Sequence, residues 1–317
     1  MMKFWNKEQK NPEIKEKIGP FGEYFARWME RNQSSPGGLP SLHYHGRDLD
    51  RSRALGNLVL HSLSPTERRQ IDGLIVCELP GREVNAYAGI RKDGKKVVIT
   101  NHNLFSFIYA SLNLWMWSLK DSTRVKEILR TAIRSHFFDD QSNANIDVPS
   151  DAGGEGGKVL RHVSVLCMEL FIICHEFGHH LCGHIHEKCP AIDGGENGLE
   201  FIYKRDREDE YEADKKGFEL YDRIMNEETG KEIDPFFVKW INVMAPQGKL
   251  GFDMFFSFVD LATSLMGRDG VSDKYSSHPP PLERRERLRT IYTGKYGRDA
   301  FLWGMADAIA NFCIKNR

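Results

Sequence analysis

Val163-Ser164-Val165-Leu166-Cys167-Met168-Glu169-Leu170-Phe171-Ile172-Ile173-Cys174-His175-Glu176-Phe177-Gly178-His179 is the stretch that decides how the rest of the chain is read. The first twelve residues are apolar nearly all round, the pattern of a helix packed inside a domain, and the spacing predicts one helix over residues 158–186. Near its C-terminal end stands H-E-x-x-H. Residues four apart share a helix face, so the imidazoles of His175 and His179 converge on one point, with Glu176 beside them. Two imidazoles so placed suit a metal ion, and the carboxylate suits the handling of a water molecule on it, the pattern of a hydrolytic zinc site. A glutamate and two histidines closing an apolar helix are costly to bury unless a metal or hydrogen bonds satisfy them.

A catalytic zinc takes three protein ligands and leaves one position to water, so a third donor is required. The metzincin spacing needs Gly at 182 and His at 185, where this chain has Cys182 and Ile185. His180 points about 100° away around the helix. His184 is also off the ligand face, although a break at Gly183 would reposition it. Farther on, Glu210 and Asp214 are four apart in Glu208-Asp209-Glu210-Tyr211-Glu212-Ala213-Asp214 and share a face. One of these carboxylates can ligate zinc while the other accepts the free ring N–H of a ligand histidine. Spacing alone leaves open which does which, and an acidic solvated helix face would show the same spacing.

Outward from the metal helix, residues 12–32 read as an amphipathic helix and residues 33–40 as a Ser/Pro/Gly-rich linker. This divides the chain into an N-terminal helical extension with linker, 1–40, and one domain, 41–317. His43 and His45 lie just beyond the linker, without a helix or third ligand to make them a site. A helix is expected over 48–62, and Ser64-Pro65-Thr66-Glu67 marks the start of the next by a capping box. Strands are expected at 74–77, 83–90 and 96–100, with Lys92-Asp93-Gly94-Lys95 as a hairpin turn. An aromatic helix follows over 103–119, then a helix over 122–138. The glycine-rich segment 139–157 lacks a phosphate-binding spacing and reads as a loop. Helices are expected at 235–243, 251–266 and 299–315. The fold class is α+β: a mainly helical, zincin-like domain with a small antiparallel sheet beside the metal helix. An exposed edge of that sheet would let a substrate add its extended backbone as a strand.

A net charge of -1 and a pI near 6.9 provide no global attraction to nucleic acid or an acidic membrane. The six cysteines, Cys77, Cys167, Cys174, Cys182, Cys189 and Cys313, form no C-x-x-C pair, and the first residues are charged, unlike a secretory leader. The expectation is a soluble, cytoplasmic protein with no membrane span and no nucleic-acid partner.

H-E-x-x-H, then E-x-x-A-D (Glu210, Ala213, Asp214), then Ser277-His278-Pro279-Pro280 with Arg284 resembles the gluzincin-type peptidases related to the CAAX prenyl endopeptidases and HtpX. Asn85-Ala86-Tyr87-Ala88 resembles the Asn-Ala-Phe-Ala strand those enzymes place near the metal. They are membrane proteins, and this chain has no such helices. The soluble Lit-type peptidases of bacterial phage exclusion are a closer resemblance, in the hairpin and aromatic helix, the H-E-x-x-H, the E-A-D and the later His-Pro near Arg. The resemblance implies a hydrolase: a zinc metalloendopeptidase with His175, His179 and Glu210 on Zn2+ and Glu176 as general base. It also implies Asp214 behind a ligand histidine, His278 stabilising the oxyanion and Arg284 orienting it. It further implies cleavage of an intracellular protein or peptide, a host translation factor in the phage-defence case; a toxin or abortive-infection effector whose peptidase is latent until an activating partner binds is a separate reading of the same residues. The alternative is a zinc-containing sensor or binding protein with latent or no peptidase activity.

Overall fold

A helix whose Val163–Cys174 stretch is apolar on every side must be enclosed by other elements, and it is. The computed structural model describes residues 50–79, 84–91, 93–119, 125–137, 154–185, 199–202, 206–226, 246–268 and 278–317. The expected helices at 12–32 and 235–243, the linker at 33–40, His43, His45 and Cys189 lie outside the described residues. In chain order come α1 (Asp50–Ser62), α2 (Pro65–Gln70), β1 (Ile75–Leu79), β2 (Ala86–Arg91), β3 (Lys96–Asn101), α3 (His102–Ser118) and α4 (Val125–Phe137). Then follow α5 (Gly154–Cys182), β4 (Leu199–Ile202), α6 (Arg207–Met225), a 3-10 turn (Pro246–Leu250), α7 (Gly251–Arg268), α8 (Pro281–Tyr296) and α9 (Ala300–Asn316). The class is α+β and mainly helical, as expected. Among the described residues no helix is long and apolar enough to cross a membrane.

α5 is the metal helix. It begins at Gly154, four residues before the predicted start, so the glycine-rich segment contributes its first turn. Every residue from Arg161 to His180 is buried. Phe171 packs edge-on to Tyr221 of α6 and Phe256 of α7, with centroids 5.9 and 5.7 Å away. The one acid in the apolar run, Glu169, is compensated: Arg51 Nε of α1 donates to it at 2.7 Å and Ser52 Oγ at 3.0 Å. Arg51 also donates to Glu78 of β1 at 3.0 Å. A buried charge needs such pairing, and here the pairing ties the metal helix to α1 and the sheet.

The sheet differs from the expected antiparallel one. Its strand order is β1-β3-β2-β4; β2 pairs antiparallel with β3 and β4, whereas β1 pairs parallel with β3. The sheet is therefore mixed. The reason lies in β3, where Val97 to Asn101 are all buried: a strand covered on both faces takes the interior position, so β1 joins it on the side away from β2. The β2–β3 hairpin is as expected, with Gly94 at φ 78° and its N–H donating to Arg91 O at 2.8 Å. The strand carrying Ala86-Tyr87-Ala88 lies between β3 and β4, so it offers no free edge; among the described residues the edges are β1 and β4.

α2 starts with the predicted capping box: Glu67 N–H donates to Ser64 Oγ at 3.3 Å and Ser64 N–H to Glu67 Oε2 at 2.8 Å. α5 and α6 come close where one of the two carries a glycine. A Cβ on Gly178 would stand 2.6 Å from Ala213 O, and one on Gly217 would stand 2.7 Å from His175 Cα. That approach brings residues more than thirty positions apart into one site.

Candidate metal centre

The first turn of α6 is acidic and opens on Asp206, whose side chain accepts from Glu208 N–H. Glu210, Ala213, Asp214 and Gly217 recur at helical spacing and form the face pressed against α5. The two small residues set the distance between the backbones, and the two carboxylates reach the histidines. His175 Nε2 and His179 Nε2 stand 3.1 Å apart. Glu210 Oε2 is 3.6 Å from the first and Glu210 Oε1 3.7 Å from the second.

Donors bonded at about 2.0–2.2 Å in a tetrahedral zinc site are separated by about 3.3–3.6 Å. The two imidazole nitrogens and the carboxylate lie close to that spacing, at 3.1 to 3.7 Å, with each nitrogen nearest a different Glu210 oxygen. A second observation agrees with it: both Glu210 oxygens are fully buried without an aligned hydrogen bond. Oε2 is balanced by charge, with Arg284 Nη1 and His278 Nδ1 each 3.1 Å away, and Oε1 faces His179. A buried acceptor so placed is where an ion fits. The residues could hold a metal ion.

The electrostatics run the same way. Burial would raise the Glu210 carboxyl, but Arg284, then His278 and His175, outweigh it and hold it well below the usual carboxylate range. Burial and the neighbouring His175 push His179 well down, so its ring is neutral and keeps a lone pair. His175 goes the other way: burial lowers it, and Asp214 more than reverses the effect. The two acids thus favour positive charge at its ring.

Each ligand histidine has a partner behind it. Asp214 Oδ1 lies 3.0 Å from His175 Nδ1 and accepts that proton, which leaves Nε2 as the donor to a metal. Asp214 is itself gripped by Arg284, which donates from Nε and Nη2 at 2.7 Å each. Residue spacing alone left the two carboxylates interchangeable; the structure puts Glu210 at the Nε2 atoms and Asp214 at Nδ1.

The partner of His179 is His184, whose role the sequence reading did not assign. α5 ends at Cys182, Gly183 takes φ 76°, and His184 folds back so that its N–H donates to His179 O at 3.0 Å. This is a Schellman ending. It sets His184 Nδ1 3.0 Å from His179 Nδ1, and His184 Nε2 3.2 Å from Glu212 Oε2. With Glu212 accepting the Nε2 proton, His184 Nδ1 accepts from His179 Nδ1–H, and the lone pair of His179 Nε2 points inward. The glycine four residues beyond H-E-x-x-H, Gly183, was the available signal. His180 does point elsewhere, with Nε2 2.8 Å from Val97 O of β3.

Glu176 is 7% exposed and close enough for its charge to help hold the Arg284 guanidinium protonated, after Asp214 and Glu210. His278 stands ahead of α8, whose start is fixed by Pro280 at the N-cap and Pro281 in the first turn. Its side chain is 30% exposed, against 1% for Glu210. Arg284 and His278 meet at the same oxygen, Glu210 Oε2. Six of the expected site residues, His175, His179, Glu210, Asp214, His278 and Arg284, are therefore joined by direct contacts, and Glu176 follows His175 in the same buried turn of α5. Comparison of the chain with protein-family models, curated proteins and solved structures found no match.

Proposed function

We propose that the chain is a zinc-dependent endopeptidase of gluzincin type acting on a protein or peptide in the cytoplasm. The observation that carries this reading is the convergence of His175 Nε2 and His179 Nε2, 3.1 Å apart, on the Glu210 carboxylate, whose Oε2 is 3.6 Å from the first and whose Oε1 is 3.7 Å from the second. Its donor set of two imidazoles and a carboxylate is that of hydrolytic zinc sites.

Zinc held by His175, His179 and Glu210 would supply Lewis acidity toward a carbonyl and toward water. Glu176, next in sequence to a ligand, accepts the proton of the attacking water and delivers it to the leaving amine. His278, the part-exposed member of the cluster, donates to the developing oxyanion. Arg284 keeps both acids ionised, and Asp214 and His184 hold the ligand rings in their donor tautomers. A four-ligand structural site is the competing account. His184 argues against it, because its ring lies on the Nδ1 side of His179, away from the triangle.

The test compares wild type with Glu176→Gln for zinc content and for new chain termini in a bacterial lysate. Equal zinc, with termini from the wild type alone, is the expected result. Equal zinc without termini from either protein refutes proteolysis by the isolated chain, and absence of bound zinc refutes the reading at its base.

A further inference from the structure

A second set of metal-ligating side chains lies on the outer side of His179. Donor atoms of Cys182, His184 and Glu212 all lie within 4.8 Å of one another. Two come from the Schellman ending of α5 and the third from α6, so the same helix contact that builds the inner triangle assembles them. Asp209 adds a rim carboxylate, with Oδ1 3.8 Å from His184 Nε2. The His184 side chain is 5% exposed while that of Glu212 is 68% exposed and Cys182 is exposed, so the imidazole is a fixed base directed at an accessible rim.

The surroundings favour a cation. The C-terminal end of α5 carries partial negative charge. Burial, then Glu212, Glu219 and Asp209, push the Cys182 thiol up despite the opposing charge of Lys216. Carboxylates that disfavour a bare thiolate favour a thiolate neutralised by a dication.

We propose that Cys182, His184 and Glu212, with Asp209 at the rim, form a second site for a borderline-soft divalent cation such as Zn2+. Thiolate and imidazole select this class over Mg2+ or Ca2+, which take oxygen donors. Binding releases the thiol proton and takes the Nε2 lone pair of His184 in the tautomer that carries its proton on Nδ1, so the hydrogen bond with His179 reverses and His179 then carries its own proton on Nε2. The outer site shares no ligand with the inner one and stands independently of the peptidase reading. The two are joined through one imidazole pair, so an ion outside changes the partner of an inner ligand.

Titrating the metal-free, reduced, full-length chain with Co2+ tests this. Sulfur is present in the outer site and absent from the inner, so a thiolate-to-cobalt charge-transfer band reports the outer site, while visible ligand-field absorption reports both. Wild type and Glu210→Gln are expected to show the band with the amplitude of a single thiolate-bound ion per chain. Cys182→Ser is expected to lose it and retain visible absorption from the inner site. Glu212→Gln is expected to weaken the band's midpoint by about tenfold or more. A wild type without the band overturns the proposal, as does a band that persists undiminished in Cys182→Ser or is unmoved in Glu212→Gln. If the band behaves as expected but Cys182→Ser shows no visible absorption, the inner site fails and the outer one stands.

Discussion

Replacing Gly178 with alanine adds one methyl group at a close backbone contact between α5 and α6. Its Cβ would stand 2.6 Å from Ala213 O and 3.1 Å from Ala213 Cα. Real Cβ contacts essentially never fall under 3.0 Å, and the obstacle is backbone, so no side-chain rotation relieves it; the helices must part by about 0.4 Å or more. Ala213 lies between Glu210 and Asp214, so its retreat carries both carboxylates away from the histidines. Metal sites hold their distances to within about 0.2 Å. Opposing effects bear on stability: alanine favours a helix interior by about 1 kcal/mol over glycine, and overpacking costs about 1–3 kcal/mol. Their sum leaves the metal-free protein between about unchanged and 2 kcal/mol less stable. Zinc affinity, which responds directly to ligand distances, should fall at least about tenfold, or about 1.4 kcal/mol. Competition against a chromophoric chelator reads the affinity, and denaturant unfolding of the metal-free form reads the stability. A Gly178→Ala protein that binds zinc within twofold of wild type would refute the reasoning. Gly217→Ala, with its Cβ 2.7 Å from His175 Cα, should behave alike.

Arg284→Gln strips the partner from Asp214 and Glu210 together, and leaving buried charge uncompensated should cost roughly 3–5 kcal/mol. Arg284→Lys should recover only part, because an ammonium cannot span both Asp214 oxygens; a denaturation midpoint equal to wild type in either variant would contradict the clamp. His184→Gln removes the ring behind His179 and should weaken zinc binding about 10–100-fold, measurable by the same chelator competition, with unchanged affinity ruling out the positioning role. His162 is buried, and burial, followed by the Arg51 charge, lowers its pKa from 6.5 to about 3. Between those values the unfolded chain binds a proton that the folded chain refuses. Its contribution is therefore intact above pH 6.5 and lost as pH falls toward 3, by at most about 1.4 kcal/mol per unit. Unfolding free energies of the metal-free protein at pH 7, 6 and 5 should show a slope that His162→Gln reduces by about one proton; identical slopes would show that the ring is not held neutral.

Features written in neighbouring residues were legible before any coordinates. The α5 period and its H-E-x-x-H, the Glu210/Asp214 face, the Ser64 capping box and the Gly94 turn each depend on residues within a turn or two, where spacing alone sets direction. Features that depend on how separate elements meet were not. β1 joins parallel to β3 because the interior strand is chosen by burial of the whole sheet, and β4 pairs across more than a hundred residues with β2. His184 looked misplaced on an ideal helix and reaches His179 only because Gly183 reverses the chain. Sequence by itself determined that two histidines and two carboxylates would each share a helix face. Which carboxylate faces the Nε2 atoms and which steadies a ring was set by how α6 packs on α5. Glu210 and Asp214 have the same chemistry at interchangeable spacing, and only the register of α6 on α5, set where Gly178 meets Ala213 and Gly217 meets His175, separates their roles.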